Sequence, residues 1–196
     1  MICFCGIPTP SCFAQTGVTL ETQPWPASKE CEICVPVQFG KLEIYLPLSE
    51  LERILIIDAG GPVMHVIPKP GSPKVGFQLL SLKPDKLMDL YKQSGLLQGL
   101  DVKTNEQLFD ILGKLPENNK SLEKMRRLKD IDKAKRYIKT SKDNVHAYWI
   151  KSALPEGSQR IYFVIDGEED VYLLAGDVTR KIFETVLSNL RVVDIP

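Results

Sequence analysis

Between Val145 and Leu174 three short runs, Val145–Ser152, Arg160–Asp166 and Asp170–Leu174, follow one another with turn residues between them. This succession constrains the fold more than any other feature of the chain. Val145-His146-Ala147-Tyr148-Trp149-Ile150 and Tyr162-Phe163-Val164-Ile165 are rich in β-branched and aromatic residues, and each is too short for an ordinary helix, so they read as strands. Gly167-Glu168-Glu169 marks a hairpin between the second and third runs. Arg136–Thr140, joined to Val145 through Ser141–Asn144, adds a further arm on the other side. Successive strand residues point to opposite faces, so Tyr148 and Trp149 must part company. One face packs on helices; the other either packs too or presents Trp149, Tyr148, Tyr162 or Tyr172 as a binding surface.

The first third reads similarly. Val35–Phe39 and Leu42–Leu46 flank Gly40-Lys41 as a hairpin. Ser49-Glu50-Leu51-Glu52 has the form of a capping box opening one helical turn. Ile54–Ile57, Val63–Ile67 and Val75–Leu82 read as strands, with Ala59-Gly60-Gly61-Pro62 as a turn rather than a phosphate loop, because no Lys or Ser/Thr follows the glycines. The middle is helical. Pro84 opens a helix that Gly95 ends, and Thr104-Asn105-Glu106-Gln107 is a capping box for a second that stops at Gly113 and Pro116. A third starts near Asn119 or Ser121 and carries Leu122, Met125, Leu128 and Ile131 on one drifting stripe to about Lys133. Asp177 is expected to cap a final helix whose apolar face holds Val178, Ile182, Phe183, Val186, Leu187 and Leu190, before Arg191-Val192-Val193 closes the chain. Hairpins dominate, so the expectation is an α+β fold: a largely antiparallel sheet packed against helices, β-rich at the start, with three central helices and a ββββα end. Residues 33–196 are read as a single domain, and residues 15–32, with Pro24-Trp25-Pro26, as an extended lead-in.

At 196 residues with 43% hydrophobic and 26% charged side chains, the chain has enough apolar material for a core and is not of disordered composition. Formal net charge is zero, which removes any global attraction to nucleic acid or anionic membrane. No apolar run is long enough to span a bilayer. The charge is unevenly spread, however. Lys120–Lys142 holds ten basic and three acidic side chains, a net +7 that the remainder must balance with −7. Lys124, Arg126, Arg127, Lys129, Lys135 and Arg136 are therefore the expected contacts for a partner protein with an acidic surface, pointing outward as a continuous positive field.

Residues 1–20 carry no charged side chain, and Cys12 and Ala14 occupy the small-residue places of a signal cleavage site. Residues 1–14 are read as a signal-peptide remnant, which places the protein in the periplasm or outside the cell; if they are not, it is cytoplasmic. Cleavage after Ala14 leaves two of the five cysteines, Cys31 and Cys34, an even count that suits an oxidising compartment. The Cys31-Glu32-Ile33-Cys34 motif runs into strand-like sequence rather than a helix N-terminus, so a local disulfide is expected in place of redox catalysis. Structural zinc needs four ligands, and His65 and His146 stand at separations that no familiar zinc module uses, so no metal site and no cofactor is expected. Asp166-x-Glu168-x-Asp170 lacks the glycine and terminal glutamate of a calcium loop and reads as a hairpin turn.

The last third, Tyr148 through Tyr162-Phe163-Val164-Ile165, Val171-Tyr172-Leu173-Leu174 and Phe183–Val193, resembles the closing ββα unit of PsbP-like proteins. The resemblance covers a quarter to a third of the chain and rests on element pattern. It implies an antiparallel sheet between helices and a protein that binds or assembles other proteins, and it transfers no functional residue. The function expected is a non-enzymatic exported protein-binding module, of inhibitor, immunity or assembly-factor type. The alternatives are a small enzyme using Cys31, Cys34 and a histidine, and a module binding nucleic acid or anionic lipid through residues 120–142.

Overall fold

The computed structural model describes residues 17–28, 33–58, 61–69, 76–82, 84–153 and 159–193. Within them the strands are β1 (Leu20–Thr22), β2 (Cys34–Phe39), β3 (Leu42–Pro47), β4 (Leu51–Asp58), β5 (Pro62–Pro68) and β6 (Phe77–Leu82), followed by helices α1 (Pro84–Gln93), α2 (Asn105–Leu112) and α3 (Lys120–Leu128). Strands β7 (Ala134–Lys142), β8 (Val145–Ser152), β9 (Gln159–Ile165) and β10 (Val171–Gly176) come next, then α4 (Arg180–Ser188) and β11 (Arg191–Val192). One sheet has eight strands in the order β1-β7-β8-β9-β10-β6-β5-β4, and a smaller one runs β11-β3-β2. All pairings are antiparallel except β1 with β7. The fold is α+β, as the hairpin pattern requires.

Alternation along the central strands builds a core on each face of the large sheet. Trp149, Ile161, Phe163, Tyr172 and Leu174 pack with Leu42, Ile44 and Leu46 of β3 and with Phe183, Val186 and Leu187 of α4. Tyr148, Tyr162, Val164 and Val171 point the other way, onto Leu108, Phe109 and Leu112 of α2, Leu122 and Met125 of α3, and Leu87 and Tyr91 of α1. Tyr148 and Trp149 do separate, and both are buried, so neither serves as an exposed aromatic surface. At the β2–β3 turn Gly40 has φ +58°, and a Cβ there would stand 2.6 Å from the Tyr172 hydroxyl. That hydroxyl instead accepts the Lys41 N–H at 3.0 Å.

The Thr104 capping box forms: its hydroxyl accepts the Gln107 N–H at 3.2 Å, and the Gln107 side chain accepts the Thr104 N–H in return. Thr104→Ala should cost about 1 kcal/mol of unfolding free energy, measured by urea titration, with Thr104→Ser close to wild type.

Four local expectations need correction. The turn near Ser49 is a 3-10 turn over Leu48–Glu50 that begins from Pro47, with no side-chain cap, and Leu51 already belongs to β4. Thr179, not Asp177, caps α4, accepting the Ile182 N–H at 3.2 Å. Within the lead-in, Leu20–Thr22 joins the large sheet, pairing in parallel with Tyr137–Lys139. In the third helix, Leu128 is 56% exposed and Arg126 is buried. A period of 3.6 places Leu122, Met125, Arg126 and Lys129 on one face, whereas Leu128 lies roughly 120° away from Leu122.

Candidate functional site

The basic segment is distributed by this helical geometry. Lys124, Arg127 and Lys135 are exposed, and Arg127 meets Glu123 one turn earlier at 2.8 Å. Arg126 is turned inward, which corrects its assignment to a surface patch. Its Nη1 donates to the carbonyls of Leu112 (2.6 Å) and Lys114 (3.0 Å), its Nη2 to Val18 (2.8 Å), and its Nε to Asp132 (3.2 Å). Lys129 is also folded back, with Nζ 4.8 Å from the centre of the Tyr162 ring and 5.9 Å from that of Tyr91. Burial, with the charge of Arg160 adding to it, pushes this ammonium down to about 8. Arg136 binds both carboxylate oxygens of Glu21 on β1, and this bond holds the Glu21 carboxyl below its usual range. Lys139 is held by Glu106 and Asp110 of α2 at 2.9 Å. Arg126, Lys129, Arg136 and Lys139 are thus engaged with partners inside the fold, while Lys124, Arg127 and Lys135 stay at the surface.

The bonds of Lys139 belong to a polar network where α2 crosses β7–β9. Burial works to lower the Lys139 ammonium, but the bonds to Asp110 and Glu106 outweigh it and the group is raised. The Tyr148 hydroxyl donates to Asp110 at 2.8 Å, and burial drives its phenol far up. Next to them stands His146 on β8. Its Nε2 is 3.0 Å from Asp166 Oδ1 and 3.6 Å from Glu106 Oε1, and its Nδ1 is 2.8 Å from the Ser141 hydroxyl on β7. Glu106 and Asp166 also line a cleft of about 310 Å³ between the start of α2 and the β9–β10 turn. The turn itself is the hairpin expected in place of a calcium loop: Gly167 has φ +75° and Glu168 pairs with Lys41 at 2.6 Å.

A second surface lies at the opposite edge of the sheet. Among the described residues β4 pairs only with β5, so its outer row of backbone N–H and C=O groups faces away from the sheet. Its centre is Ile54-Leu55-Ile56-Ile57, and Leu55 (43%), Ile56 (62%) and Ile57 (46%) are exposed. Leu55 stands opposite His65 and Ile57 opposite Val63 on one face, while Ile56 stands opposite the buried Met64 on the other.

No family model and no curated protein matches this chain. Cys34 opens β2 in the small sheet, while His65 and His146 stand on strands of the large one. Cys31, and with it the Cys31–Cys34 pairing, lies outside the described residues, as do residues 1–14. Among the described residues no helix is long and apolar enough to cross a membrane.

The sequence marks neither surface as a site. The run Ile54–Ile57 has the pattern of a strand, but its place at an edge depends on the order of the other strands. Glu106, His146 and Asp166 are separated by 40 and 20 residues, and only the crossing of α2 over β8 and β9 brings them together. The available signal is the polar character of His146 inside the apolar start of β8 and of Asp166 directly after the apolar run of β9.

Proposed function

We propose that this chain is an exported protein-binding module whose partner contributes an extended strand to the β4 edge. The observation that carries the reading is the exposed aliphatic run Leu55-Ile56-Ile57 on an edge strand eight residues long. Natural edge strands are commonly short, or broken by proline, lysine or a bulge, because a free edge templates pairing with another chain. In β4 the bulge lies at the start, between Leu51 and Arg53, and Glu52 and Arg53 pair with each other, leaving Ile54–Asp58 regular. Such an edge suits an extended segment that supplies backbone hydrogen bonds, with aliphatic side chains to cover Ile56 on one face and Leu55 and Ile57 on the other. The uncharged first twenty residues and the Cys31–Cys34 pair support an extracytoplasmic location with a local disulfide. The likeness of the C-terminal third to PsbP-like proteins, many of which bind or assemble other proteins, points the same way.

The test is a pair of variants on one face, Leu55→Asp with Ile57→Asp. Both side chains are exposed, so circular dichroism and the melting temperature should match wild type. Affinity for the partner purified from the native host should fall by about 100-fold, since each lost aliphatic contact contributes roughly 1.5 kcal/mol or more. Unchanged affinity would reject the β4 edge as the interface. Concentration-dependent dimerisation of the wild type alone, lost in the double variant, would replace the foreign partner with a second copy.

A further inference from the structure

We propose that Glu106, His146 and Asp166 form a three-ligand site for a divalent first-row metal ion of the zinc class, open to the cleft beside α2. The reading is independent of the β4 edge. One ligand atom from each residue lies within 4.8 Å of the other two. Zinc bonds to nitrogen and oxygen are about 2.0–2.2 Å, so at coordination angles near 90–110° two ligand atoms on one ion stand roughly 3.0–3.5 Å apart. The Nε2 atom of His146 is 3.0 Å from Asp166 Oδ1 and 3.6 Å from Glu106 Oε1. Small rotations about the two carboxylate side chains close the set around one ion.

The surroundings are arranged as a metal site requires. The ligands come from three separate places in the fold: the first turn of α2, the start of β8, and the turn that follows β9. His146 is fixed on both sides, because β8 is paired with β7 and β9 at this position. The Ser141 hydroxyl at 2.8 Å from Nδ1 orients the ring. With Nδ1 protonated and donating to Ser141, the lone pair of Nε2 is directed at the carboxylates, which is the tautomer that a metal needs. Lys139 competes for Glu106 Oε1, yet it also contacts both oxygens of Asp110 at 2.9 Å and keeps those bonds if Glu106 turns to an ion. Three carboxylates, Glu106, Asp110 and Asp166, share a single ammonium, that of Lys139, so the cluster carries excess negative charge that suits a cation. Imidazole with two carboxylates favours zinc, manganese or ferrous iron over magnesium and calcium, which prefer oxygen alone. Glu106 and Asp166 line the cleft, so the position left over by three protein ligands opens to it, where water or a substrate oxygen can bind. A closed structural site would instead use a fourth side chain.

The experiment is calorimetric titration of the chelator-treated full chain with Zn²⁺, together with the absorption spectrum of the Co²⁺-loaded protein. One equivalent should bind more tightly than about 100 μM. His146→Ala should abolish that binding. Ser141→Ala should weaken it by roughly 10–100-fold without removing it, as loss of an orienting partner does. Should His146→Ala fail to fold, Asp166→Asn, at an exposed position, serves in its place and should weaken binding at least as much as Ser141→Ala. The cobalt spectrum should lack a thiolate charge-transfer band. Failure to bind, binding that survives His146→Ala, binding that Asp166→Asn leaves at wild-type strength, or a thiolate band placing the ion on the cysteines would each overturn the proposal; His146 would then be only a hydrogen-bonded side chain beside carboxylates.

Discussion

Arg126→Met should lose about 3–5 kcal/mol of stability, the range for removing one member of a buried, charge-assisted network. Arg126 is 1% exposed and donates to three backbone carbonyls as well as to Asp132. Two of those carbonyls, Leu112 and Lys114, lie at the C-terminal end of α2, where helical carbonyls have no partner within the helix. The third, Val18, leads into β1. A methionine fills much of the volume but satisfies none of these acceptors, and each buried orphan costs about 1–3 kcal/mol. Close approach is enforced at the same place by Gly113, where a Cβ would stand 2.2 Å from that of Leu20. Urea unfolding with an unchanged slope and a lowered midpoint is the expected signature. Arg126→Lys should recover only part of the loss, because an ammonium cannot reproduce the planar fork that reaches four acceptors at once. A loss below about 1 kcal/mol for the methionine variant would show that water replaces the guanidinium and would reject this role.

Phe109→Ala should be of similar size for a different reason. Its ring is fully buried, with centroids 5.0 Å from Tyr148 and 4.8 Å from Tyr162, and it forms the centre of the contact between α2 and the sheet. Removing it leaves a cavity among rigid aromatic neighbours, for which about 3–5 kcal/mol is the usual cost. The bond from the Tyr137 hydroxyl to the Phe109 carbonyl, 2.9 Å, is unaffected, so the effect isolates packing. For a chain of this length the melting temperature should fall by about 6–20 °C. Leu128→Ala, at an exposed position on the neighbouring helix, should change stability by no more than about 0.5 kcal/mol. A smaller drop at Phe109 than at Leu128 would mean that the helical layer collapses to fill the space.

Much of this architecture follows from short-range pattern. The hairpins around Gly40, Ser141–Asn144 and Gly167, the proline that opens α1 and the Thr104 capping box each depend on a few adjacent residues whose preferences agree with the fold. The failures occur where a distant element decides. Arg126 reads as a solvated charge until the end of α2 and Val18 are placed beside it. Leu128 reads as core if a spacing of three is followed, and the true period turns it outward. The lead-in has no strand signature of its own, and it becomes β1 because the free edge of β7 and the hydrogen bond that Arg126 donates to the Val18 carbonyl hold it there. The candidate sites belong to the same class, since neither an edge nor a convergence of three side chains exists before the sheet is ordered.

The parallel pairing of β1 with β7 also bears on how the chain assembles. Strands β7–β10 are consecutive and only a few residues apart in sequence, so they can form early, whereas Leu20 must find Tyr137 more than a hundred residues further along. During synthesis the N-terminal strand emerges first, yet its docking groove is absent until β7 has been made. Its attachment through Arg126 and the β7 edge is therefore a late step of folding. In native-state hydrogen exchange the amides of β1 should open ahead of those of β8 and β9. A strand made before its neighbours is thus the last of them to join the sheet.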